Sequence, residues 1–481
     1  MSDREVLAKG VFWSAVEKYS SIVVSLLVSM VLARLLTPEE FGTVAIATVL
    51  IQFLTMLSSM GIAPAIVQRR DMSDDDLNSI FTFCCIIGLV LGLMFFGASW
   101  SISRVYEVDQ LAIVCQILSI QVFFSAANMV PNALMTKYLR FKDIARRTLI
   151  LQLTSGSISI IAALLGAGIF ALLISPIFTS IGIFVYNRHF YKVKVSRRLS
   201  IAPLRKIFSY SSYQFLFQFI VYFAANMDKL LIGKYISASK LGYYQKSYQL
   251  VQQPLNSIGA VVNPVLQPVL TKYQDVKEEL FKRYNKIIHL LSTICFPLGA
   301  LLYFCGAEII RLFFGDQWDL AIPTFKIMAI TIPIQIVLSS SGSFFMAGNE
   351  TRKLFITGTV NAVVTISLTI IAVTRFRTIE AVAWAWNINN IIGLFVTYYF
   401  MYVKVLHKPF FFVIKEFVFP IVIAVATAFV LYVENLLFEN LFILGFLVKC
   451  FTAMSIIVVS IQSSGQYDIF SFFKSRIIRK K

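Results

Sequence analysis

LARLLTPEEFG, residues 32–42, and IGKYISASKLG, residues 232–242, are one elbow written twice. They align without a gap at an offset of 200 residues. Arg34 meets Lys234, Thr37 meets Ser237, Phe41 meets Leu241 and Gly42 meets Gly242. Further along, Gln52 meets Gln252. Each elbow joins two long apolar stretches, so each reads as the turn of a helical hairpin. A second copy in the same sense implies a duplicated chain, with two parallel six-helix halves related by an axis along the membrane normal.

The stretches around the elbows belong in lipid. Of the 481 residues, 58% are hydrophobic and 14% are charged, against roughly 25% charged in an average soluble domain. Crossing roughly 30 Å of hydrocarbon takes about 20 apolar residues. That length divides the chain into about fourteen transmembrane helices, an all-α polytopic fold. The expected organisation is a six-helix bundle over 1–187, a basic linker over 188–206 and a second six-helix bundle over 207–403. Two extra transmembrane helices follow over 404–461, then a basic tail over 462–481. The tenth helix is expected unbroken over 320–345, and a tight break falls at Gly166–Gly168. No cleavable signal is expected, because Met1–Gly10 is polar and no small-residue cleavage site follows. The six cysteines all fall in apolar runs and read as small core residues.

A net charge of +18 would suggest nucleic acid in a soluble protein. Here its distribution argues otherwise. Arg69, Arg70, Arg146, Arg147, Arg188, Arg197, Arg198, Lys282, Arg283, Lys286, Lys404 and Lys480 all fall in alternate connections or the tail. Most of the 43 basic residues therefore gather on one side. The positive-inside rule places that side, and both termini, in the cytoplasm, and no nucleic-acid partner is expected.

Polar residues inside the spans mark the candidate site. The clean apolar run of the first helix, Ile22–Ala33, is only about 18 Å long. To cross, that helix must carry Lys18 and Glu17 into the membrane. The seventh must likewise carry Asn226, Asp228 and Lys229. Charges at such depth are costly unless they face protein or water. In the eighth helix, Gln245, Gln249, Gln252, Asn256, Asn263 and Gln267 recur at helical spacing along one face. Thr48, Gln52, Thr55 and Ser59 give the second helix a weaker copy. One reading is interhelical hydrogen bonding. The other is a hydrated lumen, favoured by its appearance in equivalent helices of both halves. Arg34, Lys229, Lys234 and Lys246 would make that lumen cationic, suited to a phosphate or pyrophosphate. Trp384, Trp386, Asn387, Asn389 and Asn390 suit either sugar contact or packing, while Trp100 and Trp318 read as interfacial belt residues.

Four blocks carry a resemblance: LARLLTPEEFG at 32–42, YLRFKDIARR at 138–147, NMDKLLIGKYISASKLGYYQKSYQL at 226–250 and FGDQWDLAIPTFKIMAI at 314–330. Together they resemble the Wzx-like polysaccharide exporters, the O-antigen and colanic-acid flippases. These belong to the multidrug/oligosaccharidyl-lipid/polysaccharide exporter (MOP) superfamily. The resemblance covers about residues 5–460. It implies a flippase that moves an undecaprenyl-pyrophosphate-linked oligosaccharide from the inner to the outer leaflet of a bacterial cytoplasmic membrane by alternating access. It also implies lipid-linked oligosaccharide and membrane lipids as partners, with a polymerase and chain-length machinery nearby. No cofactor is implied beyond coupling to protons or sodium ions, for which Glu17 and Asp228 are the candidate acids.

A drug/cation antiporter of the same superfamily would call for a carboxylate-rich lumen, which this chain lacks. A lipid-linked peptidoglycan precursor flippase is chemically closer. A membrane glycosyltransferase or polymerase would need a long extracytoplasmic loop with catalytic groups. The outer loops here are short and hold no nucleotide loop, metal cluster or nucleophile–base spacing, so an enzyme is not expected.

Overall fold

A backbone surrounded by hydrocarbon must satisfy its N–H and C=O groups within its own segment, and the apolar runs accordingly become helices. The computed structural model describes residues 3–59, 61–69, 72–196, 201–438 and 441–463, and all regular structure in them is helical. It divides into two compact units, Met1–Gly242 and Tyr243–Lys481.

The first unit contains α1 (Asp3–Leu35), α2 (Pro38–Ser59), α3 (Ile62–Gln68), α4 (Asp74–Tyr106), α5 (Gln110–Ala127), α6 (Met129–Lys137), α7 (Phe141–Leu164), α8 (Phe170–Phe190) and α9 (Ile201–Tyr235). The division falls in the first turns of α10 (Ala238–Thr271). The second unit continues with α11 (Lys277–Phe304), α12 (Gly306–Phe314), α13 (Ile322–Ala329), α14 (Ile332–Ser339), α15 (Ser341–Ala347), α16 (Thr351–Ile371), α17 (Ile379–Tyr398), α18 (Phe411–Leu437) and α19 (Phe442–Ser463).

Among the described residues, eleven helices are long and apolar enough to cross a membrane, and twelve spans result if a bent pair counts as one. The more polar helices α9 and α10, at 35 and 34 residues, stand where the other two of the fourteen expected helices fall, so the count is roughly consistent with the sequence. That twelfth span corrects the expectation of an unbroken tenth helix. Asp316–Ala329 and Ile332–Ala347 meet at 53°. Pro333, near the start of α14, has no N–H to continue the helical ladder. Two starts also move: α7 begins at Phe141 and α11 at Lys277. Lys142, Arg146, Arg147, Lys282, Arg283 and Lys286 therefore lie on helices rather than in connections. Lysine and arginine are good helix formers, and hydropathy alone cannot see that. At the break expected over 166–168, Gly166 and Gly168 both take left-handed backbone angles, φ 82° and 54°.

The repeated elbows fold alike. Thr37 and Glu40 form a reciprocal cap at the start of α2: Thr37 N donates to Glu40 Oε2 at 2.8 Å, and Glu40 N donates to Thr37 Oγ1 at 3.3 Å. Ser237 repeats half of it, accepting from Lys240 N at 3.1 Å. The two elbows also touch. A Cβ on Gly42 would overlap the carbonyl oxygen of Ala238, and one on Gly242 would overlap the carbonyl oxygen of Pro38. Only glycine permits this approach of backbone to backbone.

Elsewhere in the first unit, Ile62, Ile66, Leu77, Phe81, Val130 and Leu134 form a core to which Val193 of the linker adds. The linker is pinned there: Lys194 N donates to Asn78 Oδ1 and Ser196 N to Thr82 Oγ1, both at 2.7 Å. Arg197 and Arg198, and the basic tail from residue 464 onward, lie outside the described residues. In the second unit, Tyr284, Phe344, Tyr398, Met401 and Tyr402 anchor the core. The extra helices α18 and α19 pack on α11.

Candidate functional site

The polar residues of α9 come first because they are buried where lipid would refuse them. Asn226 and Asp228 are each 8% exposed and Lys229 is 9%. Lys229 lies three residues beyond Asn226 on the same helical face, and its Nζ donates to Asn226 Oδ1 at 3.0 Å. Asn226 Nδ2 donates to the Tyr222 carbonyl at 3.0 Å, and Asp228 Oδ1 accepts from the Lys229 amide at 2.8 Å. α9 is held to α2 just before this group. The Tyr222 hydroxyl donates to the Val49 carbonyl, and Phe53 packs on Phe219 and Phe223 at 5.7 and 5.2 Å.

The other expected residues of the first unit are placed differently. Gln52 is exposed on α2. Glu17 on α1 is half-buried and accepts from Thr148 Oγ1 of α7 at 3.0 Å. Arg34 is exposed at the end of α1. Its repeat counterpart Lys234 is engaged at the end of α4, where it donates to the Val105 carbonyl and lies 3.5 Å from Glu107. A cation at that place complements the negative end of the α4 dipole.

In the second unit, Gln245, Gln249 and Gln252 of α10 are half-buried and Asn256 is exposed. Gln245 Oε1 is buried without a hydrogen-bond partner among the described residues. Lys246 is 2% exposed and sits over Phe314 and Trp318, 4.9 and 5.7 Å from their ring centroids. The ammonium thus faces an aromatic enclosure rather than open space. Trp318 is completely buried against Phe314 and Tyr243, so it is not an interfacial belt residue. Trp100 is 54% exposed.

Of three further polar clusters, the first contains residues read from sequence as sugar contact or packing, and the other two escape a sequence reading. Asn387 and Asn390 of α17 close the break between α13 and α14. Thr331 Oγ1 donates to Asn387 Oδ1 at 2.5 Å, Asn387 Nδ2 donates to the Ile327 carbonyl at 2.6 Å, and Asn390 Nδ2 reaches Thr331 Oγ1 at 3.2 Å. Their placement is packing. Arg147, 5% exposed, donates to Asn132 Oδ1 at 3.2 Å and to Asn187 Oδ1. Asn187 Nδ2 in turn donates to Asn128 Oδ1 at 2.8 Å, at the break between α5 and α6. Lys449 of α19, 2% exposed, pairs with Glu308 of α12 at 2.5 Å and with Asn435 of α18, beside Glu434. A lone lysine inside the apolar run of α19 was the available signal for this last cluster.

The fold defines the class of protein. It superimposes on a solved structure of the lipid II flippase MurJ, in an inward closed conformation, with a TM-score of 0.75 at 18% identity, covering 97% of this chain and 100% of that one. An inward-facing multidrug resistance MATE transporter of the MOP superfamily matches with a TM-score of 0.62 at 14% identity, over 80% of this chain and 95% of that one. The molecule is a multi-pass helical membrane protein whose fold is like those of these two proteins. Its sequence places it further: the family model described as polysaccharide biosynthesis protein matches residues 31–323, and the chain belongs to that family. Among its relatives, an uncharacterised membrane protein in the cps region of Klebsiella pneumoniae is 26% identical over 70% of each chain. The lipopolysaccharide biosynthesis protein WzxC of Escherichia coli is 25% identical over 72% of this chain and 71% of its own. The teichuronic acid biosynthesis protein TuaB of Bacillus subtilis is 22% identical over 81% of each.

Proposed function

We propose that this protein is a flippase that carries an undecaprenyl-pyrophosphate-linked oligosaccharide from the inner to the outer leaflet of a bacterial cytoplasmic membrane, by alternating access and without covalent chemistry. The observation that carries the reading is a transporter fold joined to a sequence family of polysaccharide biosynthesis. The lysine held in the buried polar group of α9 supports it, because an anionic diphosphate needs a cation that lipid cannot solvate. In this reading both termini are cytoplasmic. The six-helix halves span 1–187 and 207–403, the linker 188–206, the extra helices 404–461 and the tail 462–481. Lys229, Gln52, Gln245, Gln249, Gln252 and Asn256 contact the sugar diphosphate. Arg34, Lys234 and Lys246, which the structure holds at helix ends or under aromatic rings, join them only if those contacts open during transport. Glu17 and Asp228 carry the coupling ion. A polymerase and chain-length machinery receive the product.

The test is deletion of the gene in its host, with surface polysaccharide and lipid-linked intermediates assayed by leaflet. Loss of polymer with complete repeat units stranded on the inner leaflet is the expected outcome. Normal polymer in a strain that also lacks every related transporter would sink the reading. Lys229→Ala should reduce export at normal protein abundance, and unaltered export would remove Lys229 from the site.

A further inference from the structure

A second polar site lies in the second unit, where α11 packs on α18. His289 Nδ1 of α11 is 3.4 Å from Glu416 Oε2 of α18, with side chains 14% and 23% exposed. The imidazole also stacks on Phe419 at 5.7 Å. The other Glu416 oxygen accepts from Asn285 Nδ2 at 3.3 Å, and Asn285 Oδ1 accepts from the Tyr402 hydroxyl. The buried Tyr398 packs beside Tyr402, with ring centroids 5.9 Å apart. Glu416 and Asn285 also line a cavity of about 390 Å³. A water molecule occupies about 30 Å³ of liquid, so this space holds several.

We infer that His289 and Glu416 form a proton-binding site, loaded from this cavity, on which transport depends. The inference rests on the transporter reading above and gives it a titratable group distinct from Glu17 and Asp228. Histidine is the side chain that ordinarily changes charge near neutrality. Ionisable groups within spanning helices are by default functional. In the loading step, a proton from cavity water binds the Glu416 carboxylate, which lines the cavity, and passes to Nδ1 of His289 across the 3.4 Å contact. The resulting imidazolium is neutralised by the Glu416 carboxylate, and release returns the proton to water. No other bond changes.

Several charged and titratable groups surround the pair. Lys282, Arg283 and Lys286 line the cavity from α11, Lys415 precedes Glu416 on α18, and Tyr402 stands beyond Asn285. Glu279 engages two of the cations, lying 3.9 Å from Lys282 and 3.7 Å from Arg283. At the same end Lys408 is paired with Glu278 at 2.7 Å.

The experiment uses the full chain in a host deleted for its gene, with internal pH clamped between about 5 and 8 and polymer export read at each value. Proton uptake by the purified protein in lipid vesicles is titrated over the same window. Wild type should show a pH-dependent export rate. His289→Gln and Glu416→Gln should flatten that profile at normal abundance, and each should take up fewer protons. Glu416→Asp should keep the profile, which excludes a folding defect as the cause. If both Gln variants keep the wild-type profile and the wild-type proton uptake, the site is overturned. If wild type itself fails to restore polymer, the export reading falls, and the vesicle titration still decides the proton site on its own.

Discussion

Gly42 has a hydrogen where any other residue would drive a carbon into the Ala238 carbonyl. Backbone cannot swing away as a side chain can, so Gly42→Ala should cost about 1–3 kcal/mol and lower export. A thermal-melting series of the purified protein checks the first part. Gly97→Ala is the control: nothing lies within 4 Å of the added carbon, and stability should hold or rise by up to about 1 kcal/mol. A second residue-scale expectation concerns Lys449. Lys449→Ala leaves Glu308 in the interior without its ammonium, at a cost of about 3–5 kcal/mol. Replacing both partners by apolar residues of similar size should recover most of that loss. Equal melting temperatures for the single and double variants would show that the pair is not coupled.

Among the elements, α10 is the least regular in composition, with Pro254, Pro264 and Pro268 inside 34 helical residues. Each proline removes one bond of the helical ladder, and Pro264 leaves the Ala260 carbonyl without its usual donor. Pro264→Ala should therefore stabilise the protein by up to about 3 kcal/mol. If bending of α10 belongs to the transport cycle, the same variant should export less, and a variant both stabler and fully active would exclude that role. This helix also shows what a sequence can reveal. Its stripe of glutamines and asparagines was visible because period and polarity sit in one local segment. The enclosure of Lys246 was not, since Phe314 and Trp318 arrive from a distant stretch. Arg147 was hidden for a related reason: at the start of α7, next to other basic residues, it looks like a loop cation, and only Asn132 and Asn187 make its burial tolerable.

For the molecule as a whole, lipid makes the architecture legible. A solvent that forbids unpaired backbone leaves long helices as the solution, so their number follows from counting apolar lengths. Details set by distant contacts, such as the bend at Thr331 and the cluster around Lys449, do not follow from that count. The side of the membrane each loop occupies is a separate matter, resting on the distribution of lysine and arginine. It predicts that a cysteine introduced at the exposed Asp109 reacts with an impermeant maleimide in intact cells, in a background without the six native cysteines. One at the exposed Asp75 should react only after permeabilisation. The reverse pattern would invert the whole topology.

The meeting of Gly42 with Ala238 and of Gly242 with Pro38 has the form of an isologous dimer contact, each partner offering the same patch to the other. Here both partners are covalently one chain. In a true homodimer every substitution on such a patch is imposed twice, whereas within one chain the two sides can differ. The flanking residues do differ, with Glu39 and Glu40 on one side answered by Ser239 and Lys240 on the other. The glycines remain a pair because neither can acquire a side chain while the opposite backbone occupies its space. Two positions 200 residues apart thus share a single steric fate.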